Sequence, residues 1–154
     1  MYHFILPLRA KYLKSYQQDI VIIAPSIKRE MWDGISRFER VYLVEGSPLQ
    51  SEILRQAFIH KANKAVIMGF DPSIEEGNYS VNELNDEMID ARTVFIYKAI
   101  KKINPNLQVL SELYYHSNID FLLPKGKTHD FFNFSTLYAA GEVYIASTID
   151  TLTA

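Results

Sequence analysis

Apolar positions along this chain follow two alternating periods. Short apolar runs rich in β-branched residues occur at 19–25 (DIVIIAP), 40–45, 64–69 and 107–112, and between them apolar residues return every three or four positions. The first pattern predicts strands and the second predicts amphipathic helices. The stretch 40–70 is the clearest unit. Val41 and Leu43 open it as a strand, and Ser51 is placed to cap a helix with Ile53, Leu54, Ala57 and Phe58 on one face. The run Val66, Ile67, Met68 then returns as a strand. Parallel strands require a crossover of this kind, and a continuous apolar run such as DIVIIA is expected of a strand buried on both faces. The pattern predicts an α/β fold, a Rossmann-like parallel sheet with helices on both faces, whose ligand loops lie at the carboxyl ends of the strands.

The remaining elements follow from the same reading. Residues 3–16 predict an amphipathic helix with Phe4, Ile5, Leu8 and Leu13 apolar and Arg9, Lys11 and Lys14 toward its end, although Pro7 sits awkwardly inside it. Ser26 is the expected cap of a short helix carrying Arg29, Glu30 and Trp32. A polar loop is expected at 71–80. The strongest helix signal covers 82–102, with Asn82 or Ser80 as cap, acids in its first half, lysines in its last turns, and Leu84, Met88, Ala91, Phe95 and Ala99 as its buried face. Asn104, Pro105 and Asn106 stop it. A short helix is expected at 116–123 and a last one at 139–152, with Val143, Ile145, Ala146, Ile149 and Leu152 apolar. Ile145 and Ile149 on that helix either close the core or form an interface; inward packing is the expectation.

With 154 residues, 48% of them hydrophobic, the chain is expected to build a single packed domain over 1–154. A formal charge of −2 gives no basic face for nucleic acid. The absence of cysteine excludes disulfides and thiolate-bound metal and fits a reducing compartment. No apolar run approaches the roughly 18 residues of a spanning helix, and Pro7 and Arg9 interrupt the first apolar stretch too early for a signal peptide.

Catalytic chemistry has little support. The six glycines are scattered and none forms G-x-G-x-x-G, while Ala24, Pro25 and Ser26 stand where a ribose-binding acid would follow a strand, so a nicotinamide cofactor is not expected. Glu75, Glu76, Glu83, Asp86, Glu87 and Asp90 offer oxygen ligands of the type Ca²⁺ and Mg²⁺ take, with Glu83, Asp86, Glu87 and Asp90 the weak metal candidates. Acids at the start of a helix are also what the dipole favours on any surface helix. His3, His60, His116 and His129 are dispersed, without ligand spacing. No nucleophile elbow surrounds a serine. Tyr114, Tyr115 and His116 follow a strand, where ligand loops lie, yet aromatic residues there more often pack beneath the loop.

The order of several short motifs, LPLRA at 6–10, KRE at 28–30, VYLVEGSPLQSEILRQAFIHKANKAVIMGF at 41–70, IDARTVFIYKAIKKINPNLQVLSEL at 89–113 and FSTLYAAGEVYIASTIDTL at 134–152, carries a resemblance. It resembles the RCK (regulator of K⁺ conductance) domains of Slo-type calcium-activated potassium channels, the second of the two tandem domains above all. The resemblance implies a regulatory module on the cytoplasmic side of a membrane. Its partners are other RCK domains, in tandem and in a tetrameric gating ring, and the channel's pore domain. It implies no enzyme activity, with Ca²⁺ a ligand of the full-length channel and no cofactor assigned to this segment.

Two features depart from the family's pattern. The aspartate run called the calcium bowl is not present at 123–130, where Leu123, Pro124, Lys125, Gly126, Lys127, Thr128, His129 and Asp130 stand. The strand that the family places ahead of LPLRA is also missing, so the resemblance implies an N-terminally truncated fragment lacking its first, central strand. Such a sheet is expected to close by rearranged pairing or by borrowing a strand from another copy. The alternative function is a nucleotide-binding Rossmann-like protein or an enzyme fragment.

Overall fold

Ile20–Ala24 (β1) and Val41–Glu45 (β2) are the apolar, β-branched runs expected as strands, and they pair in parallel with Ile20 opposite Val41 and Ala24 opposite Glu45. The computed structural model of the chain describes residues 1–10, 17–69, 90–123 and 136–145. Two units are distinguished, Met1–Phe58 and Ile59–Ala154, and each is taken by itself.

In the first unit, Tyr2–Leu8 (α1) and Arg29–Ile35 (α2) close one face of the β1–β2 pair. Ile5, Ile22 and Ile35 form the buried centre, with Ile20, Trp32, Phe38, Val41 and Leu43 packed against it. Strand alternation explains why Ile20, Ile22, Val41 and Leu43 share this face. The helix expected over 3–16 ends at Leu8, and residues 11–16 lie outside those described. Pro7 lacks an N–H for the helix ladder, and Arg9 at the C-cap turns its guanidinium onto the carbonyls of Glu39, Gln18 and Arg40 at 2.9, 2.8 and 3.2 Å. Among the described residues of the expected apolar face, Ile5 is buried and Phe4 and Leu8 are exposed, while Leu13 lies outside the described residues.

Two expected caps are corrected. Lys28, extended at φ −63° and ψ 135°, is the N-cap of α2 in place of Ser26, and Gln50 precedes Ser51–Gln56 (α3) in place of Ser51. Neither makes a side-chain cap bond. The turn from β2 to α3 depends on Gly46, whose φ is +149° and whose N–H donates to Ala24 O at 2.8 Å, carrying the ladder past Glu45. A Cβ at Gly46 would lie 2.6 Å from Cδ1 of Ile53. Leu54 and Ala57 are buried as expected, but Phe58 points out, because α3 ends at Gln56 and Phe58 takes a φ of +56°.

The second unit holds a three-stranded parallel sheet in the order β3-β4-β5, formed by Lys64–Ile67 (β3), Gln108–Leu113 (β4) and Val143–Ile145 (β5). Ile67 pairs with Ser111, Ser111 with Val143, and Leu113 with Ile145. These residues and Val109 are buried on one face, packed by Ala91–Ile103 (α4). Among the described residues no strand precedes Ile20, and the strands form two small parallel sheets, an α/β arrangement as expected.

The buried face of α4 differs from the expected one. Thr93, Val94, Ile96, Tyr97 and Ile100 are buried, while Phe95 is 60% exposed and Ala91 and Ala99 are half-buried. Val94, Tyr97 and Ile100 form a parallel three-residue stripe with more apolar area than Ala91, Phe95 and Ala99, and the sheet takes the larger one. Leu84 and Met88 lie outside the described residues, as do the expected caps Ser80 and Asn82 and the loop 71–80.

The last expected helix is also corrected at its start. Thr136–Ala139 (α5) is one turn that closes in a Schellman arrangement, with Glu142 N–H donating to Leu137 O at 2.9 Å and Gly141 N–H to Tyr138 O at 3.0 Å. Gly141 has the left-handed φ of +68° that this cap requires. The chain then enters β5, where Val143 and Ile145 point in and Tyr144 out. Inward packing holds for Ile145; Ala146, Ile149 and Leu152 lie outside the described residues.

Candidate functional site at the carboxyl ends of the second sheet

Parallel strands expose their ligand loops at their carboxyl ends, and here two carboxylates organise that edge. Glu112, near the end of β4, accepts the N–H of Gly69 through Oε2 at 2.6 Å. This side-chain bond extends the β3–β4 contact beyond the last paired residues. A Cβ on Gly69 would meet Glu112 Cδ at 3.2 Å, so glycine permits the close approach.

Asp90 is the second carboxylate. It stands at the N-cap of α4, 3% exposed, and makes no cap bond of its own. Its Oδ1 accepts the N–H of Tyr114 at 2.8 Å; Oδ2 accepts the N–H of Tyr115 at 3.0 Å and Nδ2 of Asn118 at 2.8 Å. Two of these donors are backbone groups that a chain turning out of a strand leaves without sheet partners, and a carboxylate satisfies both. The 3-10 helix His116–Leu122 starts from that turn.

Of the four metal candidates, Asp90 is engaged by these three donors, and Glu83, Asp86 and Glu87 lie outside the described residues. So do Glu75, Glu76, His129 and 124–130, while Leu123 is buried. Among the described residues no three His, Asp or Glu side chains gather as a metal-holding group. Tyr114 is 48% exposed, with its ring 5.1 Å from that of half-buried Tyr115 at 66°. His116 is exposed at the start of the 3-10 helix.

At the other end of α4 lies a cleft of about 500 Å³ that sequence reasoning missed. The last turns of α4 give it Tyr97, Lys98, Lys101 and Lys102; Leu122, Leu123, Leu137 and Glu142 face them. Lys101 Nζ donates to Leu107 O at 2.7 Å and lies 5.6 Å from the centre of the Tyr97 ring. Burial, and the negative charge of Glu142, push the Tyr97 phenol above its ordinary value. The lysines were legible as helix-end charges, but the residues opposite come from twenty or more positions away.

A family model described as the calcium-activated potassium channel slowpoke-like RCK domain matches residues 1–111. The chain is 27% identical over 99% of its length to potassium channel subfamily T member 1 of Gallus gallus, and equally to that of Homo sapiens. It spans 14% of the length of the first relative and 13% of the second. Its fold is similar to a solved structure of the human SLO3 gating ring, with a TM-score of 0.80 at 23% identity, over 99% of this chain and 27% of that one. No helix among the described residues is long and apolar enough to cross a membrane. From the ordered motifs, the parallel α/β sheets and the match over 1–111, the chain belongs to the slowpoke-like RCK domain family of calcium-activated potassium channels.

Proposed function

We infer that this chain is a regulatory unit of a potassium channel's gating ring, lying on the cytoplasmic side of the membrane, and that it couples domain assembly and ion sensing to opening of the pore. The observation that carries this reading is the family match over residues 1–111, supported by the likeness of nearly the whole chain to the SLO3 gating ring. Its partners are other RCK domains of the same channel and the pore domain. The chain works by binding and displacement rather than by catalysis, which fits the fully bonded Asp90 and the scattered histidines. Ca²⁺ is the ion assigned to the full-length channel, through ligands other than a calcium bowl at 123–130.

Recording K⁺ currents from membrane patches that carry the full-length channel tests this, with and without residues 1–154, over a range of cytoplasmic Ca²⁺. Deletion should abolish or strongly shift the Ca²⁺ dependence of opening. Unaltered currents and Ca²⁺ dependence would overturn the reading. Saturable binding of NAD or adenine nucleotide to the chain would favour the nucleotide-binding alternative instead.

A further inference from the structure

The cleft at the end of α4 combines positive charge with an apolar floor, and we propose that it binds a small amphipathic anion, an acidic group carried on an apolar body. Its volume, about 500 Å³, lies within the range of small-molecule sites. Lys98, Lys101 and Lys102 contribute three positive charges against the single negative charge of Glu142. The ion pair between Arg40 and Asp19 lies in the other unit, and Glu142 is the one described carboxylate in the cleft lining to offset these ammonium groups.

The helix macrodipole accounts for lysines in the last turns of α4. It does not account for the buried Leu122 and Leu123 or the half-buried Leu137 beside them, which give the cleft an apolar lining. Lys101 is held by Leu107 O and the Tyr97 ring, which fixes one charge at the wall. Lys98 and Lys102 are exposed and belong to the cleft lining, so their charges are open to solvent and to a ligand. Glu142, opposite, repels an anion, so the acidic group belongs on the α4 side and the apolar body on the leucines. This polarity also disfavours a cationic or a purely apolar ligand. The site is independent of the channel reading, since it stands on the second unit's own residues.

Isothermal titration of the 154-residue chain with decyl phosphate below its micellar concentration tests the proposal. Decanol, inorganic phosphate and vesicles of phosphatidylcholine with or without phosphatidylglycerol form the comparison arms. Decyl phosphate should bind saturably with one site per chain, at least tenfold more tightly than decanol or phosphate. The exposed pair K98Q/K102Q should weaken it about tenfold or more while leaving the thermal unfolding midpoint unchanged. Equal affinity for decanol, undiminished binding by K98Q/K102Q, or binding confined to anionic vesicles would each overturn the cleft as the site. Leu137→Asn is the second variant: it should weaken decyl phosphate but not inorganic phosphate, and equal weakening of both would overturn the apolar half of the proposal.

Discussion

The N–H of Gly69 donates to Oε2 of Glu112 at 2.6 Å, so a side chain of β4 completes a contact that the backbone ladder has already ended. A charged acceptor makes this bond stronger than a neutral one, and its exposed setting reduces its net worth to about 1 kcal/mol. Glu112→Ala should lower unfolding stability by that amount in urea titration. Glu112→Gln keeps an acceptor oxygen and should recover more than half of the loss; an equal loss in both variants would count against the bond.

Asp90→Asn leaves one acceptor and places an NH₂ group against N–H donors. With three donors depending on one buried carboxylate, the loss should reach about 3 kcal/mol. Hydrogen exchange should quicken first at Tyr114 and Tyr115. A variant within 0.5 kcal/mol or so of wild type, on the error of such measurements, would refute the assignment.

Two glycines should respond in opposite directions to alanine. Gly34 lies inside α2 with nothing within 4 Å of an added Cβ, so Gly34→Ala should stabilise by about 0.5–1 kcal/mol. Gly46→Ala meets both its φ of +149° and Cδ1 of Ile53 at 2.6 Å, and should destabilise by about 1–3 kcal/mol. Chemical denaturation of the two variants beside wild type gives the comparison directly; a shared sign would be incompatible with the turn described.

Ile5 reaches the centre of the first unit from a helix whose other large apolar residues are mostly exposed. Truncation to Ala leaves a cavity between Ile22 and Ile35, and should cost about 2–5 kcal/mol. Leu6→Ala, on the exposed side of the same helix, should change stability by less than about 0.5 kcal/mol. Similar losses from both would mean that α1 is packed differently.

The ion pair of Arg40 and Asp19 predicts a pH dependence. The hydrogen bond from Arg40 holds the Asp19 carboxyl below its ordinary value of 3.8. Its small contribution is therefore present above that value and is lost as pH falls through the lower folded-state value. Asp19→Asn should be slightly less stable than wild type at neutral pH. The gap should close in acid, and in high salt, because the pair is open to solvent; a gap that widens in acid would reverse the sign argued here.

The strands were legible because their composition and length leave little choice: IVIIA and VYLVE carry β-branched residues in runs too short for helices. Caps were less so, since Lys28 and Gln50 occupy positions defined by extended backbone, whatever the neighbouring serines offer. Val143, Ala146 and Ile149 keep helical spacing and masked β5, although Gly141 two residues earlier was a readable stop. The site was the least legible part. Asp90 looks like one more acid at a helix start, and its partners follow 24 to 28 positions later. The cleft likewise joins residues from separate elements, so no local spacing announces it.

The three bonds of Asp90 place the entry to α4 and the exit from β4 on a single side chain. Removing that one side chain would therefore free the start of the helix and the turn after the strand at the same time. Helix and strand are thus tied at this one edge, and the turn between Tyr114 and Asn118 is anchored to the start of α4.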